Sequence, residues 1–471
     1  MSLYRIFFAA LLKEEAQPRA CRAKMLKPCA KPLISRPIAG LLPTSDSGTV
    51  ARRASFLAQA PERWRVSDDS LIKSARLFRF GTASMHVPKP WSRHEEHWKV
   101  GDTQTGRGRA HVLAVLAALA TVLALQAALP GHDAPRQATM SGHMGNLGAD
   151  YETQQAGAQR LGQALERGEA VVVLGSSELT SADLRFIPYK FLSDELAMPV
   201  LAYGHAYFQS LGMYFLLASQ EEKLSPQSRL VIMVSPGWFD SRGLNREAFK
   251  EHVLPLLPRL LGHDEARHAL LQWWNRRGNA EVARAALAEL GFKLRGQAEQ
   301  TLRLWRQPAM ASAEPAAPIP WRRPTADWTR LRTEAAAQET TFMASNPYGV
   351  RQDYLDKYLG NLTPDRLLAF SDNFEPATEL ADLERLMALL ARHQAKVLFV
   401  LQPFNPLVYR DLDRFEATRL RISVLCKQYA LACMDMYGVQ PYALGTLRDS
   451  QHLGELGWLD VSRKIVEVVG E

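Results

Sequence analysis

The stretch Val171–Thr180, VVVLGSSELT, decides how this chain is read. Three valines and a leucine form an apolar run typical of a buried strand, and Gly175 ends it with a residue that tolerates backbone angles closed to others. Two serines follow at once. A serine set where a strand stops and a helix begins holds its hydroxyl at the open end of a parallel sheet, beside unpaired backbone N–H groups able to hold an oxyanion. Taken alone, Ser177 reads as a helix N-cap. It becomes a candidate nucleophile only if a base can reach it.

Outward from this stretch, further strand-like runs appear at Pro199–Ala202 (PVLA), Leu230–Val234 (LVIMV), Lys396–Gln402 (KVLFVLQ) and Leu431–Met434. Between and around them, Tyr151–Gly168, Ser181–Met198, Gln209–Ser219, Glu379–His393, Asp411–Tyr429 and Leu459–Val469 carry helical patterns. This alternation predicts right-handed βαβ units, and hence an α/β domain over residues 169–471 with helices flanking a parallel sheet. The strands end in Ser176-Ser177, Gly204, Ser235–Phe239 and Gln402, which that fold brings to one cleft. From about residue 240 to 345 the pattern is mainly helical, interrupted by prolines at 255 and 258 and by the Ala/Pro-rich Gln307–Pro320, and reads as an insertion.

The base is sought near the other end, where Arg448–Asp460 reads RDSQHLGELGWLD. With two residues between them on a turn, Asp449 can accept a hydrogen bond from one ring nitrogen of His452 and leave the other facing a nucleophile. His452 alone reads as a satisfied interior histidine. Paired with Asp449, and with a strand-end Gly-Ser-Ser earlier in the chain, it completes the order Ser…Asp…His of a catalytic triad. Such chemistry needs neither metal nor cofactor. A single Gly-Ser-Ser, without further glycines or a Lys-Ser/Thr pair, is no phosphate loop.

The net charge of +8 is unevenly spread. Residues 1–110 hold 20 Lys/Arg against 9 Asp/Glu, so the remainder is close to −3. No basic patch interleaved with aromatics occurs there, which argues against a nucleic-acid partner. Residues 1–110 read as a basic, disordered cytoplasmic extension, or as sequence upstream of the true start. His94-Glu95-Glu96-His97 lacks a third ligand and reads as a solvated charge run. His111–Leu129, HVLAVLAALATVLALQAAL, carries no Asp, Glu, Lys or Arg. At about 1.5 Å per residue it spans a hydrocarbon core, so residues 111–130 are expected to be a single transmembrane helix. Arg107 and Arg109 precede it and Asp133 is the first charge after it, which places the N-terminus in the cytoplasm and the rest outside. The alternative is a cleaved signal peptide ending near Ala127-Ala128. Residues 131–168 are then a tether and a helix. Cys21, Cys29, Cys426 and Cys433 show no zinc spacing, and the last two are read as buried thiols in preference to a disulfide.

Five blocks also carry a family resemblance: GSSELTS at 175–181, SPGWF at 235–239, NPYG at 346–349, FVLQPFNPLVY at 399–409 and DSQHLGELGW at 449–458. Together they resemble the DltD family of D-alanyl transfer proteins, membrane-anchored relatives of the SGNH (GDSL-type) hydrolases, over residues 110–471. The resemblance implies an SGNH-like fold, with Ser177 as nucleophile, Ser176 in the place of the motif's aspartate, and Asp449 and His452 as orienter and base. It also implies D-alanyl transfer to an envelope polymer such as lipoteichoic acid, beside a membrane-bound O-acyltransferase partner. Two departures stand out. The family's middle block usually reads SPQWF, so Gly237, next to Trp238, leaves the oxyanion hole to backbone N–H groups of Ser177 and Gly204. The long N-terminal extension has no counterpart. A plain esterase or thioesterase with the same triad, and a non-catalytic assembly subunit, are the alternatives.

Overall fold

The computed structural model describes residues 141–145 and 151–470, apart from 182, 241–242, 307–323, 344–345, 371–373 and 439–441. The expected extension at 1–110 and the anchor at 111–130 lie outside the described residues, as does most of the tether. Among the described residues no helix is long and apolar enough to cross a membrane.

A six-stranded, fully parallel sheet forms the centre, in the order β1-β3-β2-β4-β6-β8. Its strands are β1 (Gly142–His143), β2 (Val171–Gly175), β3 (Val200–Gly204), β4 (Arg229–Val234), β6 (Lys396–Leu401) and β8 (Ala432–Asp435). A separate two-stranded ribbon pairs β5 (Leu368–Ala369) with β7 (Tyr409–Arg410). Leaving out the edge strand β1, the main strands run 2-1-3-4-5 in order of appearance, so the direction of winding reverses between β2 and β4. That reversal opens a crevice at the carboxyl ends of these two strands, the place where open α/β sheets bind ligands.

The period-2 alternation of strand side chains explains why β2 is apolar throughout. Val172 and Leu174 enter one buried cluster and Val171 and Val173 another, so both sheet faces are covered. One face is packed by α1 (Tyr151–Arg167), α2 (Ser210–Ala218), α7 (Ala377–Arg392) and α8 (Glu416–Gln428). The other is packed by α5 (Trp328–Met343) and α9 (Glu455–Val469). The segment read as an insertion contains α3 (Asp264–Arg277), the 27-residue α4 (Ala280–Arg306) and α5, after which α6 (Gln352–Tyr358) follows. Helix α4 reaches back to α1, where Lys293 Nζ donates to Gln154 Oε1 at 2.8 Å.

Two local features differ from the sequence reading. Helix α9 starts at Glu455 and not at Leu459, with Gly457 inside its first turn. A Cβ at 457 would sit 2.2 Å from the carbonyl oxygen of Thr446, so the glycine that weakens a helical pattern is what lets the helix lie against the preceding loop. Cys426 and Cys433 are joined in a disulfide between α8 and β8 with Cα atoms 6.3 Å apart, and Cys433 is exposed; they are not two buried thiols.

Candidate active site

The turn after β2 begins at a glycine for a steric reason. A Cβ on Gly175 would lie 2.4 Å from Glu178 Oε1, because the Glu178 side chain folds back over the strand end. There Glu178 Oε1 accepts the backbone N–H of Ser176 at 2.6 Å and fixes the turn. Ser177 opens the short 3-10 helix that follows. Its side chain caps nothing. Ser177 Oγ lies instead 2.8 Å from His452 Nε2, across 275 residues of chain. The other ring nitrogen, Nδ1, is 2.8 Å from Asp449 Oδ2. With Nδ1–H donating to the carboxylate, Nε2 presents a lone pair to the serine hydroxyl, the arrangement a general base requires.

Asp449 is itself held. Its Oδ1 accepts the backbone N–H groups of Gln451 and His452 at 2.9 and 2.8 Å, so only Oδ2 remains for the imidazole. Behind it, three of the sequence blocks meet. Asn405, from the block after β6, is fully buried and its Nδ2 donates to the carbonyls of Tyr348 and Asp449 at 3.0 and 3.3 Å. The backbone N–H of Asn405 donates to Ser450 O at 3.1 Å. Arg448 Nη1 and Nη2 both reach the Asp183 carboxylate, at 2.8 and 3.0 Å, which ties the base-bearing loop to the segment following the serines. Glu455 Oε1 and Oε2 accept the N–H groups of Arg185 and Phe186 at 2.9 Å each and close the same junction.

Burial works to lower the imidazole of His452, but the hydrogen bond and charge of Asp449, with the charge of Glu178, outweigh it and raise its pKa above the ordinary 6.5. Burial likewise disfavours the Asp449 anion, yet His452 and the two backbone donors bring its pKa below the usual carboxylate value. Glu178, fully enclosed, is pushed up by burial against the pull of the Ser176 N–H.

The triad opens into a cleft of about 470 Å³. Of the residues singled out from sequence, Ser176, Ser177, Gly237, Trp238 and His452 line it, and Asp449 stands behind His452. Gly204 does not. It is buried beneath the turn, where a Cβ would meet Ser176 O at 2.6 Å and Leu179 at 2.9 Å, and the cleft wall comes instead from the next residues of its loop, Ala206 and Tyr207. Ser176 Oγ donates to His205 O at 3.0 Å and so serves to hold that loop.

Three contributors were not legible in advance. Gln451 lines the cleft, and its Oε1 lies 3.2 Å from where a Cβ on Gly237 would be, so its side chain fills the space left by that glycine. Tyr207 is 64% exposed on the cleft rim with φ of 64°, a left-handed conformation uncommon outside glycine. Glu178 has no spacing signal, although its place in GSSEL hints at a local role.

Comparison with known protein families matches the DltD protein family over residues 150–290 and 292–469. The chain belongs to the DltD family. Membership implies D-alanyl transfer in lipoteichoic acid biosynthesis, an acyl-transfer role in the cell envelope. The matched region of this DltD member takes in the triad, its supporting loops and the whole parallel sheet except β1. No curated protein matches the sequence.

Proposed function

We propose that this chain is an SGNH-type serine acyltransferase that carries D-alanyl groups to a hydroxyl of a cell-envelope polymer. The observation that carries the reading is the unbroken relay Ser177 Oγ–His452 Nε2 and His452 Nδ1–Asp449 Oδ2, each 2.8 Å, at the switch point of the sheet. In the first half-reaction Ser177 Oγ attacks the carbonyl carbon of an activated D-alanyl donor while its proton passes to His452 Nε2. The tetrahedral adduct collapses, the donor's leaving group takes that proton, and a D-alanyl ester remains on Ser177. In the second, His452 Nε2 accepts the proton of an acceptor hydroxyl whose oxygen attacks the ester, and as the bond to Ser177 Oγ breaks that proton passes to Oγ and restores the serine hydroxyl. The Ser177 N–H is the proposed oxyanion donor, and the Gln451 side chain fills the space in front of Gly237.

Residues 111–130 are proposed as a single membrane anchor, with the N-terminus cytoplasmic and the catalytic domain outside. A membrane-bound O-acyltransferase then delivers the activated donor at that surface. The Cys426–Cys433 disulfide supports an oxidising, extracytoplasmic compartment. Gly237 favours a second reading, an assembly subunit that holds polymer or partner without turnover. Simple hydrolysis, with water replacing the acceptor hydroxyl, is the third.

A fluorophosphonate probe applied to the purified full chain separates them. Labelling that disappears in Ser177→Ala, together with loss of envelope D-alanine ester in the same strain, is the expected result. Absence of labelling with unchanged ester content favours the assembly role. Persistent labelling in Ser177→Ala moves the nucleophile to another residue.

A further inference from the structure

The acyl-transfer cleft holds two acceptors that the triad does not use. Asp240 comes just after the turn that follows β4, and Gln209 stands immediately before α2. Both line the cleft of about 470 Å³ into which Ser177 opens. Resting on the reading of Ser177 as the serine that carries the acyl group, we propose that Gln209 and Asp240 hold the ammonium of an aminoacyl donor and so select acyl groups with a free α-amine.

Gln209 supplies the first observation. It is 5% exposed, and among the described residues its Oε1 has no hydrogen-bond partner. It occupies the N-cap position of α2, yet its side chain caps nothing. A buried amide oxygen without a donor runs against the rule that buried polar atoms are paired, and in the wall of a cleft it suits a donor brought by a ligand. The last torsion of a glutamine is broad, so the oxygen turns towards such a donor with the rest of the side chain in place. A primary ammonium donates through every N–H and accepts nothing, which is the partner this atom calls for.

The second observation is charge. Among the described residues that line the cleft none is a lysine or an arginine, and two carry a carboxyl group, Glu178 and Asp240. Glu178 is committed to the turn: its Oε1 takes the Ser176 N–H, and burial pushes its pKa up. Asp240 is 6% exposed. A carboxylate offers about four lone-pair sites, so the contacts that hold Asp240 within the fold leave acceptor capacity for an ammonium. A bond between the two is charge-assisted, and stronger than one between neutral groups.

The third observation puts both acceptors on one part of the wall. Glu379, on α7, accepts the N–H of Ser210, the residue after Gln209, at 3.0 Å. Burial, then the charge of Asp382, and also that of Asp240 raise the pKa of Glu379. Asp240 also forms a bridge with Phe374, shortly before α7. Gln209 and Asp240 thus flank the same buried carboxyl. The Ser210 N–H, at the positive end of α2, is directed at Glu379 and so does not oppose a cation beside Gln209. In an α-aminoacyl group a single carbon separates the ammonium from the carbonyl carbon that Ser177 attacks, so holding the nitrogen limits where the carbonyl lies. An acyl group without the amine leaves the buried Oε1 unpaired and gains nothing from Asp240.

The test measures how well two small amides protect Ser177 of the full chain from a fluorophosphonate: D-alaninamide, and propionamide, which differs only in lacking the amine. Protection by D-alaninamide should need about 10–100-fold less ligand. In Asp240→Asn and in Gln209→Met the preference should shrink to about threefold or less. Each protection is taken relative to the same variant's own labelling rate, and propionamide reports whether the cleft is intact. Equal protection by the two amides in wild type overturns the proposal, as does an undiminished preference in either variant. Ligand-observed NMR of both amides on Ser177→Ala repeats the comparison without the serine hydroxyl. A chain that resists labelling yet prefers D-alaninamide there loses the acyl-transfer reading and keeps the amine subsite. One that labels at Ser177 but shows no preference loses the subsite alone.

Discussion

Two imidazole sites stand beside the Ser176–Ser177 turn, and the same domain drives them in opposite directions. At His452 a carboxylate directed at Nδ1, with a second anion at Glu178, raises the pKa despite burial. At His252 the neighbours are a phenol and another imidazole, Glu251 is at the surface, and burial takes the pKa down to about 3. Enclosure, with a neighbouring imidazole, lowers the His252 ring, whereas at His452 a directed anion outweighs enclosure. One site is thereby fitted to exchange protons near neutral pH, and the other stays uncharged there.

The strongest way to break the comparison is to remove the directed anion. In Asp449→Asn the side-chain oxygen stays with the backbone N–H groups of Gln451 and His452, because only an acceptor satisfies them. The amide NH₂ then faces Nδ1, which must accept, and the ring proton moves to Nε2 in front of Ser177. Labelling of Ser177 should fall by about 10³–10⁴-fold with the fold intact, the scale at which a wrong tautomer disables a triad. A loss below tenfold would mean that the carboxylate does not set the tautomer.

The next largest effect is in pH. His452 must be neutral to act as base, and its pKa lies above 6.5, so the wild-type labelling rate should climb through an inflection above pH 6.5. Histidine NMR resonances should show His252 still neutral at pH 5, well above its pKa of about 3, where His452 is already protonated. Titration of both near 6.5 would erase the distinction. The charge of Glu178 contributes to the upward shift, so Glu178→Gln should lower the inflection with at most about a tenfold loss of rate, since Gln Oε1 still accepts the Ser176 N–H.

The two sites also differ in how far they can be read before folding. Ser177, Asp449 and His452 announce themselves because a strand-end serine and a short carboxylate–histidine spacing are local patterns. The five central strands are legible for the same reason, each being an apolar run bounded by turn residues. His205 and His252 belong to separate elements with no shared spacing, and only the fold, with the π-turn at Phe249–Val253, brings their rings together. Strand β1, the β5–β7 ribbon and the bonds made by Asn405 escape notice likewise, since two-residue strands carry no period and a single asparagine no pattern. Gly204 has a duty that its strand-end position does not announce, because its lack of a side chain allows close packing under Ser176.

A carboxylate enclosed without a cation or an imidazole partner supplies the remaining term of the comparison. Glu379, on α7, is fully buried and pushed up to about 8, first by burial and then by the charge of Asp382, itself raised to about 6. Its Oε1 accepts the Ser210 N–H at 3.0 Å, whereas Oε2 has no hydrogen-bond partner. The folded protein therefore keeps this proton up to about pH 8 while the unfolded chain releases it near 4.5, so unfolding sheds a proton between those values. Stability from this group is full below 4.5 and declines as pH rises towards 8. Glu379→Gln keeps the bond to Ser210 and cannot ionise, so its melting temperature should match wild type near pH 4.5 and exceed it at pH 8 by a few degrees, at roughly 2 °C per kcal/mol for a domain of this size. Labelling of Ser177 should be unchanged, because the group lies outside the triad's hydrogen bonds. A melting curve for Glu379→Gln that runs parallel to wild type across this pH range would show that the carboxyl reaches solvent, and that enclosure acts on the imidazoles alone.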